Sequence, residues 1–354
     1  MCEGEITVPA AVLENIAGWV PPRVVANAEL PAAWGVDDPW VRRRTGIATR
    51  HWAGPGVTTG DLALTAAGKV LASSGRPPLD AILVASSTGD QPMPAMAPWL
   101  ATRLGYGGVA AWDLSAACTG FVYGLASAVG LLTCGVARRV LLVAAEVYST
   151  LVHPDDRGAG VVFADGAAAV LLRAAGPAEP AGTASYGRVL GFDLGSDGAE
   201  RELIQVAAGG ARERAEPGRF GPADRYFRMR GREVFQHAVT RMTESSAALL
   251  ARTGWAAADI DRFVTHQANA RILTAVGERL DVPSERHVTN IERVGNTGAA
   301  SIPLALADAA SRGELRAGER VLATAFGAGL TWGSTALVWP ELPPVEPVTA
   351  PLAD

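Results

Sequence analysis

One cysteine in this sequence stands where it could act as a nucleophile. The segment 112–121, with sequence WDLSAACTGF, predicts a strand, a tight turn and the start of an apolar helix, and it places Cys118 at the helix N-terminus. Free backbone N–H groups and the helix dipole stabilise a thiolate there, and such cysteines can have a pKa of roughly 3.5–7.5. A buried cysteine taken alone is also typical of an ordinary core side chain. Covalent catalysis by Cys118 therefore requires partner residues elsewhere.

Two further segments could supply those partners. His266 opens the sequence HQAN directly after an apolar, strand-like run, so its imidazole is expected at the carboxyl end of a strand. Asn296 lies in the turn-like sequence GNTGAAS at residues 295–301. A single histidine or an Asn-Thr-Gly turn is common in purely structural roles. Their significance depends on whether the fold brings them to Cys118.

An internal repeat predicts that it does. Two pairs of strand-like segments begin 181 residues apart: DAILV with DRFVT, and VLLVAA with VLATAF. The same offset places the turn that contains Cys118 on the turn that follows Asn296. Duplicated halves that pack against each other would bring Cys118, His266 and Asn296 toward the middle of the molecule.

The repeat also divides the chain. We assign residues 1–180 to a first half, residues 181–340 to a second half and residues 341–354 to a Pro-rich tail that we expect to be loosely ordered. The offset falls to 167 residues between GAAAV and GSTAL, so the first half contains about 14 additional residues, which include the sequence HPDDR at residues 153–157. An insertion that interrupts a duplicated scaffold is a good place for a binding loop.

Composition restricts the class of protein. Strand-like runs alternate with helical stretches along the chain, which predicts a layered α/β architecture with buried sheets. A net charge of −5 provides no general basic surface, so neither nucleic acid nor an anionic membrane is an expected partner. The uncharged stretch 114–137 could span a bilayer by length, but its Gly and Ala content favours a helix buried in the core.

The cysteines and the N-terminus indicate the compartment. Cys2, Cys118 and Cys134 have no paired spacing, which favours neither a disulfide framework nor a metal site. Residues 1–12 lack the basic and apolar pattern of a signal peptide. We therefore expect a cytoplasmic protein without a bound metal.

Taken together, the motifs resemble β-ketoacyl-acyl-carrier-protein synthase III, the priming condensing enzyme of the thiolase superfamily. The resemblance covers nearly the whole chain, from WVRRRTGI at residues 40–47 to FGAGLTWG at residues 326–333. The Cys, His and Asn motifs in this order and separation are specific when combined. The resemblance implies a thiolase-like, five-layered αβαβα fold made of two duplicated halves, and a homodimer.

The resemblance also implies a role for each candidate residue. Cys118 would attack an acyl thioester, and the oxyanion would be bound by its own N–H and that of Ala328. His266 and Asn296 would donate hydrogen bonds to the carbonyl of a malonyl thioester and stabilise the enolate formed as CO₂ leaves. Attack of that carbanion on the acyl group would give a 3-oxoacyl thioester. Coenzyme A thioesters are the implied substrates, and no metal or organic cofactor is needed.

A coenzyme A tunnel is implied as well. The residues that match it are Trp40 and Arg157 for the adenine, Arg44 for a phosphate, Asn269 for the pantetheine arm, and Gly231 and Phe235 for the wall. Arg157 belongs to the insertion that the repeat reveals.

Three features depart from the family pattern. Met93 stands where the family has a phenylalanine that caps the acyl pocket across the dimer, which predicts a different or broader starter group. Ala328 replaces a glycine in the oxyanion turn. Arg271 and Arg279 remain of the basic patch expected to receive an acyl carrier protein, but Gln236 and Glu278 stand where basic residues are expected.

Three hypotheses remain open at this point. The first is a decarboxylating Claisen condensation that primes fatty-acid or polyketide synthesis. The second keeps the fold and Cys118 but transfers an acyl group from coenzyme A to a hydroxyl or an amine; the retained Asn296 argues for condensation instead. The third is an inactive partner subunit, and the presence of Cys118 argues against it.

Overall fold

The computed structural model describes residues 10–176 and 186–349 of the chain. The strands in these ranges are β1 (Ala11–Trp19), β2 (Val24–Ala26), β3 (Thr49–His51), β4 (Ala81–Ala85), β5 (Ala110–Leu114), β6 (Arg139–Val147), β7 (Asp165–Ala174), β8 (Val189–Ser196), β9 (Ile204–Gln205), β10 (Arg228–Met229), β11 (Arg262–Thr265), β12 (Arg320–Gly327) and β13 (Thr331–Val338). The predicted boundary at 180/181 lies outside the described residues, so the division into halves stays a prediction.

Helices connect most of the long strands. They are α1 (Asp38–Thr45), α2 (Thr59–Ser73), α3 (Met96–Arg103), α4 (Gly120–Thr133), α5 (Arg157–Gly160), α6 (Ala211–Ala215), α7 (Gly231–Thr253), α8 (Ala270–Arg279), α9 (Ile291–Val294) and α10 (Ser301–Ser311).

The first sheet has the strand order β1-β7-β6-β4-β5. Strand β4 is parallel to both β5 and β6, whereas β7 is antiparallel to β6 and to β1. Every residue of β4 and nearly every residue of β6 is buried, without alternation. Such continuous burial is expected when helices cover both faces of a sheet, and here α2 and α3 pack on one face while α4 packs on the other.

The second sheet repeats this arrangement with later residues. Its order is β11-β12-β13-β8, with β11 parallel to β12 and β13 antiparallel to both β12 and β8. Helices α7 and α8 cover its outer face, and α4 and α10 lie between the two sheets. The layers therefore follow the order α, β, α, β, α, as the family resemblance implies.

The repeat is preserved element by element. Strands β11 and β12 begin 181 residues after β4 and β6. The 3-10 turn Ala117–Thr119, which precedes α4, corresponds by the same offset to the 3-10 turn Gly298–Ala300, which precedes α10, and the two turns contact each other. The duplicated halves thus meet at the turn that contains Cys118.

The uncharged stretch 114–137 is a core segment. It contains the end of β5, the 3-10 turn and all of α4, whose residues Phe121, Leu125 and Ala128 are buried between the sheets. Within residues 10–176 and 186–349, the helices are too short or too polar to cross a bilayer.

The C-terminal tail differs from the prediction of a loosely ordered segment. Val348 is buried, and its carbonyl accepts a hydrogen bond from the Val20 N–H at 3.0 Å. Lys69 Nζ donates to the Pro347 carbonyl at 3.0 Å. Gly18 leaves room for this packing, because an added Cβ would lie 2.9 Å from the Val348 side chain. Apolar burial and main-chain hydrogen bonds therefore anchor residues 341–349 on the first half; residues 350–354 lie outside the described part.

Candidate active site

Cys118 lies in the sharp turn between β5 and α4. The preceding residue, Ala117, adopts φ +45°, a left-handed conformation that non-glycine residues rarely take. Strain of this kind is concentrated at functional sites, where the surrounding structure holds it. Gly327 at the end of β12 packs against the turn, because an added Cβ would lie 2.8 Å from the Cys118 backbone N. Only glycine allows this approach between the two halves.

His266 follows directly after β11, at its carboxyl end, and is buried. Its Nδ1 lies 2.6 Å from the Ser301 Oγ. That hydroxyl already accepts a hydrogen bond from the Gln267 N–H at 3.2 Å, so its own proton is available for Nδ1. When the Ser301 hydroxyl donates to Nδ1, Nε2 of His266 carries the proton and can donate a hydrogen bond. Burial lowers the pKa of His266 to about 3, so the imidazole is neutral at physiological pH.

The backbone of Asn296 forms hydrogen bonds through both its N–H and its carbonyl group. Its N–H donates to the Val162 carbonyl at 3.0 Å, and its carbonyl accepts from the Ala164 N–H at 2.8 Å. The side-chain Oδ1 accepts from the Gly298 N–H at 2.9 Å. With its oxygen occupied in this way, the carboxamide keeps Nδ2 free to act as a donor.

These three side chains share one chamber. Cys118, His266 and Asn296 line a cavity of about 50 Å³ whose other walls are apolar, among them Phe163, Phe227, Val234, Met242, Ile272 and Phe326. Cys118 keeps intermediate exposure because its side chain faces this cavity. A buried sulfur, an imidazole donor and an amide donor therefore face one water-poor space.

A tunnel leads from the surface to the chamber. It has a volume of about 390 Å³ and shares Asn296 and several apolar walls with the chamber. The tunnel walls include six of the residues that the family resemblance assigns to coenzyme A or carrier binding: Trp40, Arg44, Gly231, Phe235, Asn269 and Arg271. Arg157 lies at the entrance, where its guanidinium is 5.6 Å from the centre of the Trp40 ring, and the guanidinium of Arg44 is 4.6 Å from the same ring.

Comparison with known proteins identifies the family. Residues 112–198 match the family described as 3-oxoacyl-[acyl-carrier-protein (ACP)] synthase III, and residues 250–339 match the family described as its C-terminal part. A β-ketoacyl-[acyl-carrier-protein] synthase III of Streptomyces coelicolor, numbered 5, is 52% identical over 94% of this chain and 98% of the relative. The chain belongs to the 3-oxoacyl-[acyl-carrier-protein] synthase III family.

Solved structures agree with this assignment. The 3-oxoacyl-(acyl carrier protein) synthase III of Pseudomonas aeruginosa PAO1 has a TM-score of 0.86 and 48% identity, over 95% of this chain and 100% of that one. The priming β-ketosynthase of the R1128 polyketide biosynthetic pathway has a TM-score of 0.85 and 29% identity, over 96% and 100% of the two chains. The predicted thiolase-like fold and the predicted enzyme class, a condensing acyltransferase, are confirmed.

The expected low pKa of the cysteine was wrong. Burial raises the pKa of Cys118 to about 12, and the nearby Glu146 carboxylate raises it further. The Tyr148 hydroxyl and the backbone N–H of the cysteine lower it, but they do not offset the desolvation. The resting synthase therefore holds a neutral thiol at physiological pH.

Three other predicted residues, Asn269, Met93 and Ala328, are not among those that line the chamber. Both ends of the Asn269 carboxamide are engaged in the protein, since Nδ2 donates to the Arg44 carbonyl at 3.0 Å and Oδ1 caps α8 at the Arg271 N–H. Met93 is 84% exposed and is not among the residues that line the chamber or the tunnel. Ala328 follows Gly327, and its carbonyl accepts from Thr331 Oγ1 at 3.0 Å. The roles predicted for Asn269, Met93 and Ala328 toward substrate remain predictions.

Glu146 is a site residue that the sequence analysis missed. Its carboxylate is fully buried in β6 and accepts hydrogen bonds from the Ser87 N–H at 3.1 Å and from Thr88 Oγ1 at 2.8 Å. The N–H of Ala299, in the second half, is a further donor. Burial nevertheless raises the pKa of Glu146 to about 7. This carboxyl group links the loop after β4 to the turn before α10, and it is close enough to Cys118 to affect the pKa of the thiol.

We expect Glu146→Gln to flatten the pH dependence of stability. Because the pKa is raised in the folded state, the native protein binds this proton more tightly, and stability falls as pH rises from about 4.5 through about 7. The difference is on the order of 3 kcal/mol for a shift of this size. Melting temperatures at pH 5 and pH 8 should therefore differ less in the variant than in the wild type. Equal differences in both proteins would contradict the assignment of a raised pKa to Glu146.

Proposed function

We propose that this synthase transfers an acyl group from coenzyme A to Cys118 and then condenses it with a malonyl thioester, with loss of CO₂. The observation that carries the proposal is the joint position of Cys118, His266 and Asn296 in one apolar chamber at the end of a tunnel. The product is a 3-oxoacyl thioester that primes fatty-acid or polyketide synthesis.

The first half-reaction is an exchange of thioesters. The sulfur of Cys118 attacks the acyl carbonyl, the bond to the coenzyme A sulfur breaks, and the proton lost by the cysteine ends on the departing thiol. The oxyanion accepts hydrogen bonds from the N–H groups of Cys118 and Ala328 in this proposal. The close approach of Gly327 to the Cys118 amide supports it, since this approach sets the two turns side by side.

The second half-reaction is decarboxylation followed by carbon–carbon bond formation. CO₂ leaves the malonyl group, and the electrons of the broken bond form an enolate whose oxygen accepts hydrogen bonds from His266 Nε2 and Asn296 Nδ2. The enolate carbon attacks acyl-Cys118, and the released sulfur takes up one proton. Ser301 and Gly298 support this step, because their hydrogen bonds leave both donors free for the chamber.

The apolar walls favour the same chemistry. A carboxylate enters the chamber with poor solvation, whereas CO₂ is uncharged, so removing water favours its departure. Departure of CO₂ supplies the driving force, and the proposed reaction uses no metal or organic cofactor.

The tunnel is proposed to bind coenzyme A. Two guanidinium groups, those of Arg44 and Arg157, lie close to the Trp40 ring, and this combination suits a purine ring and phosphates. We expect Trp40→Ala to raise the KM for acyl-CoA roughly tenfold and to change kcat less, because stacking contributes about 1–2 kcal/mol to ground-state binding. Steady-state kinetics with acyl-CoA test this expectation.

Trp99→Ala is the matched control for the tunnel. Trp99 also lies beneath a guanidinium, with Arg103 at 5.3 Å, but it is not among the residues that line the tunnel. Its replacement should leave the KM unchanged. Equal effects of the two substitutions would argue against coenzyme A stacking on Trp40.

The proposal includes partners and a compartment. Arg271 at the tunnel entrance would contact an acidic acyl carrier protein that delivers the malonyl group. Strand β5 ends the first sheet and exposes Trp112, and Met93 is exposed as well, which supports a homodimer that covers this edge. The free thiols of Cys118 and Cys134 support a reducing cytoplasm.

A two-stage assay tests the function. The protein is incubated with radiolabelled acyl-CoA, malonyl-CoA or malonyl-carrier protein is then added, and CO₂ release is followed. Labelling of the protein followed by CO₂ release and a 3-oxoacyl product would support condensation. Labelling without CO₂ release, with acyl transfer to a hydroxyl or an amine, would favour simple acyl transfer, and absence of labelling would favour an inactive subunit.

A further inference from the structure

Arg50 is a fully buried charged residue that the mechanism above does not use. It lies on β3, and its Nη2 donates to the Asn27 Oδ1 at 2.6 Å and to the Val161 carbonyl at 3.1 Å. Burial lowers the pKa of Arg50 to about 10, so the guanidinium remains charged at physiological pH. Hydrogen bonds with a charged donor are stronger than those between neutral groups. Arg50 therefore binds its two acceptors firmly.

The burial of this charge is costly. Among the residues that the structure describes, the acceptors of Arg50 are amide and carbonyl oxygens, and its Nε has no partner. A buried charge without an opposite charge beside it costs free energy of folding. This cost offsets much of what the hydrogen bonds contribute to stability. The main effect of Arg50 is therefore expected on the position of the groups that it binds.

One of these groups belongs to residues 161–165, the segment that connects α5 to β7. Arg50 donates to the Val161 carbonyl, and Trp52, which directly follows β3, donates from Nε1 to the Phe163 carbonyl at 3.0 Å. Phe163 lines both the chamber and the tunnel. Two side chains from the β3 region thus fix alternate carbonyls of a segment that forms part of the site.

The residues between these carbonyls bind Asn296. The Asn296 N–H donates to the Val162 carbonyl at 3.0 Å, and the Asn296 carbonyl accepts from the Ala164 N–H at 2.8 Å. The preceding residue, Gly295, packs on the stem of Arg50, since an added Cβ would lie 3.0 Å from the Arg50 Cβ. Arg50 and Asn296 therefore bind alternate residues of one short segment and are also in close contact through Gly295.

We propose that Arg50, together with Trp52, is a positioning residue for the second half-reaction. Through residues 161–164, the two side chains hold Asn296 where its Nδ2 can donate to the enolate oxygen. Arg50 is not among the residues that line the chamber or the tunnel, so it acts through Asn296 and not on the substrate. The inference deepens the proposed function, on which it rests for the role of Asn296.

The test measures the two half-reactions separately in Arg50→Met, which keeps an unbranched stem and removes the guanidinium. A donor displaced by about 1 Å can cost on the order of 10²-fold in rate, so we expect CO₂ release at saturating malonyl thioester to fall at least about tenfold. Acylation of Cys118 at saturating acyl-CoA uses other donors and should stay within about twofold of the wild type.

A double-mutant cycle with Asn296→Ala shows whether Arg50 acts through Asn296. If it does, Arg50→Met should slow CO₂ release in the wild-type background and have no further effect in the Asn296→Ala protein, because the donor that it positions is already absent. A general disturbance of the structure would lower the rate by the same factor in both backgrounds.

Arg286→Met is the matched control. Arg286 also donates to two backbone carbonyls, at 2.9 and 2.8 Å, but it is not among the residues that line the chamber or the tunnel, so both half-reactions should be unchanged. Trp52→Phe is a second variant, which keeps an aromatic ring and removes the donor to the Phe163 carbonyl. It should give the same selective loss of CO₂ release. Melting curves establish folding, and Trp52→Phe keeps the question decidable if Arg50→Met does not fold.

Three results in a folded variant would overturn the inference: an unchanged rate of CO₂ release, a loss of equal size in both half-reactions, or a loss that persists in the Asn296→Ala background. Absence of CO₂ release from the wild-type protein would overturn the proposed function instead. The wild-type measurement therefore distinguishes the failure of one proposal from the failure of the other.

Discussion

Cys118→Ala should abolish labelling of the protein by acyl-CoA and reduce condensation by at least about 10³-fold. A methyl group cannot form the thioester intermediate, and Cys118 is the only cysteine among the residues that line the chamber. Removal of a nucleophile from a group that acts as a unit typically costs this much or more. Label retained on the denatured protein and the rate of 3-oxoacyl product formation measure the two effects.

Two comparisons make this experiment specific. Cys134, which follows the last residue of α4, is exposed and is not among the chamber residues, so Cys134→Ala should label and condense like the wild type. Cys118→Ala should also retain slow CO₂ release from the malonyl thioester, because His266 and Asn296 are untouched. Stoichiometric labelling of the Cys118→Ala protein would show that Cys118 is not the nucleophile.

His266→Ala should have the second largest effect, on the opposite half-reaction. Loss of one donor to the enolate oxygen typically costs about 10²–10³-fold in rate, so CO₂ release and condensation should fall by that factor while acylation of Cys118 persists. Burial lowers the pKa of His266 to about 3, so the imidazole is a neutral donor at all pH values used for assay. The pH profile of the wild-type condensation rate should therefore have no inflection near pH 6.5 that depends on His266. His266→Ala should lower the rate without changing the shape of this profile.

His237→Ala provides the control for this substitution. His237 lies on α7 and is not among the residues that line the chamber or the tunnel, so both half-reactions should proceed normally. Ser301→Ala tests the positioning of His266, because it removes the hydroxyl that lies 2.6 Å from Nδ1. If the rates of acylation and of CO₂ release fell together in His266→Ala, the role of His266 would not be confined to the second half-reaction.

The repeat made the fold and the centre of the site predictable from the sequence. Strand-like segments at a constant spacing located β4, β6, β11 and β12, because buried parallel strands have continuous apolar runs that survive duplication. The same spacing predicted that the turns before α4 and α10 would meet. Cys118, His266 and Asn296 then followed from their positions at strand ends and turns.

Other features were not accessible from sequence patterns. The state of the Cys118 thiol depends on desolvation and on Glu146, which lies 28 positions further along the chain and belongs to another strand. Helix-tip geometry favours a thiolate, but desolvation of the sulfur outweighs it here. Ser301 was visible in the GNTGAAS sequence, yet only the distance to His266 reveals its hydrogen bond.

The tail and the tunnel show the same limit. A Pro-rich ending is typical of a loose segment, but Val348 finds an apolar site that Gly18 leaves open on a strand far away in the sequence. Asn269 matches a substrate-binding position in the family, yet its carboxamide joins α1 to α8. Such contacts depend on long-range packing, which neither local composition nor spacing encodes.

The two corresponding 3-10 turns have different roles in the site. Ala117–Thr119 kept a reactive sulfur, whereas Gly298–Ala300 has Ala299 at the equivalent place and uses its N–H to hold the Glu146 carboxylate. The first turn thus carries the sulfur, and the second holds the side chain of the donor Asn296 through the Gly298 N–H. A single chain therefore attains a one-sided reaction centre from a nearly symmetric frame, and because the two turns touch, a substitution in one is expected to be felt by the other.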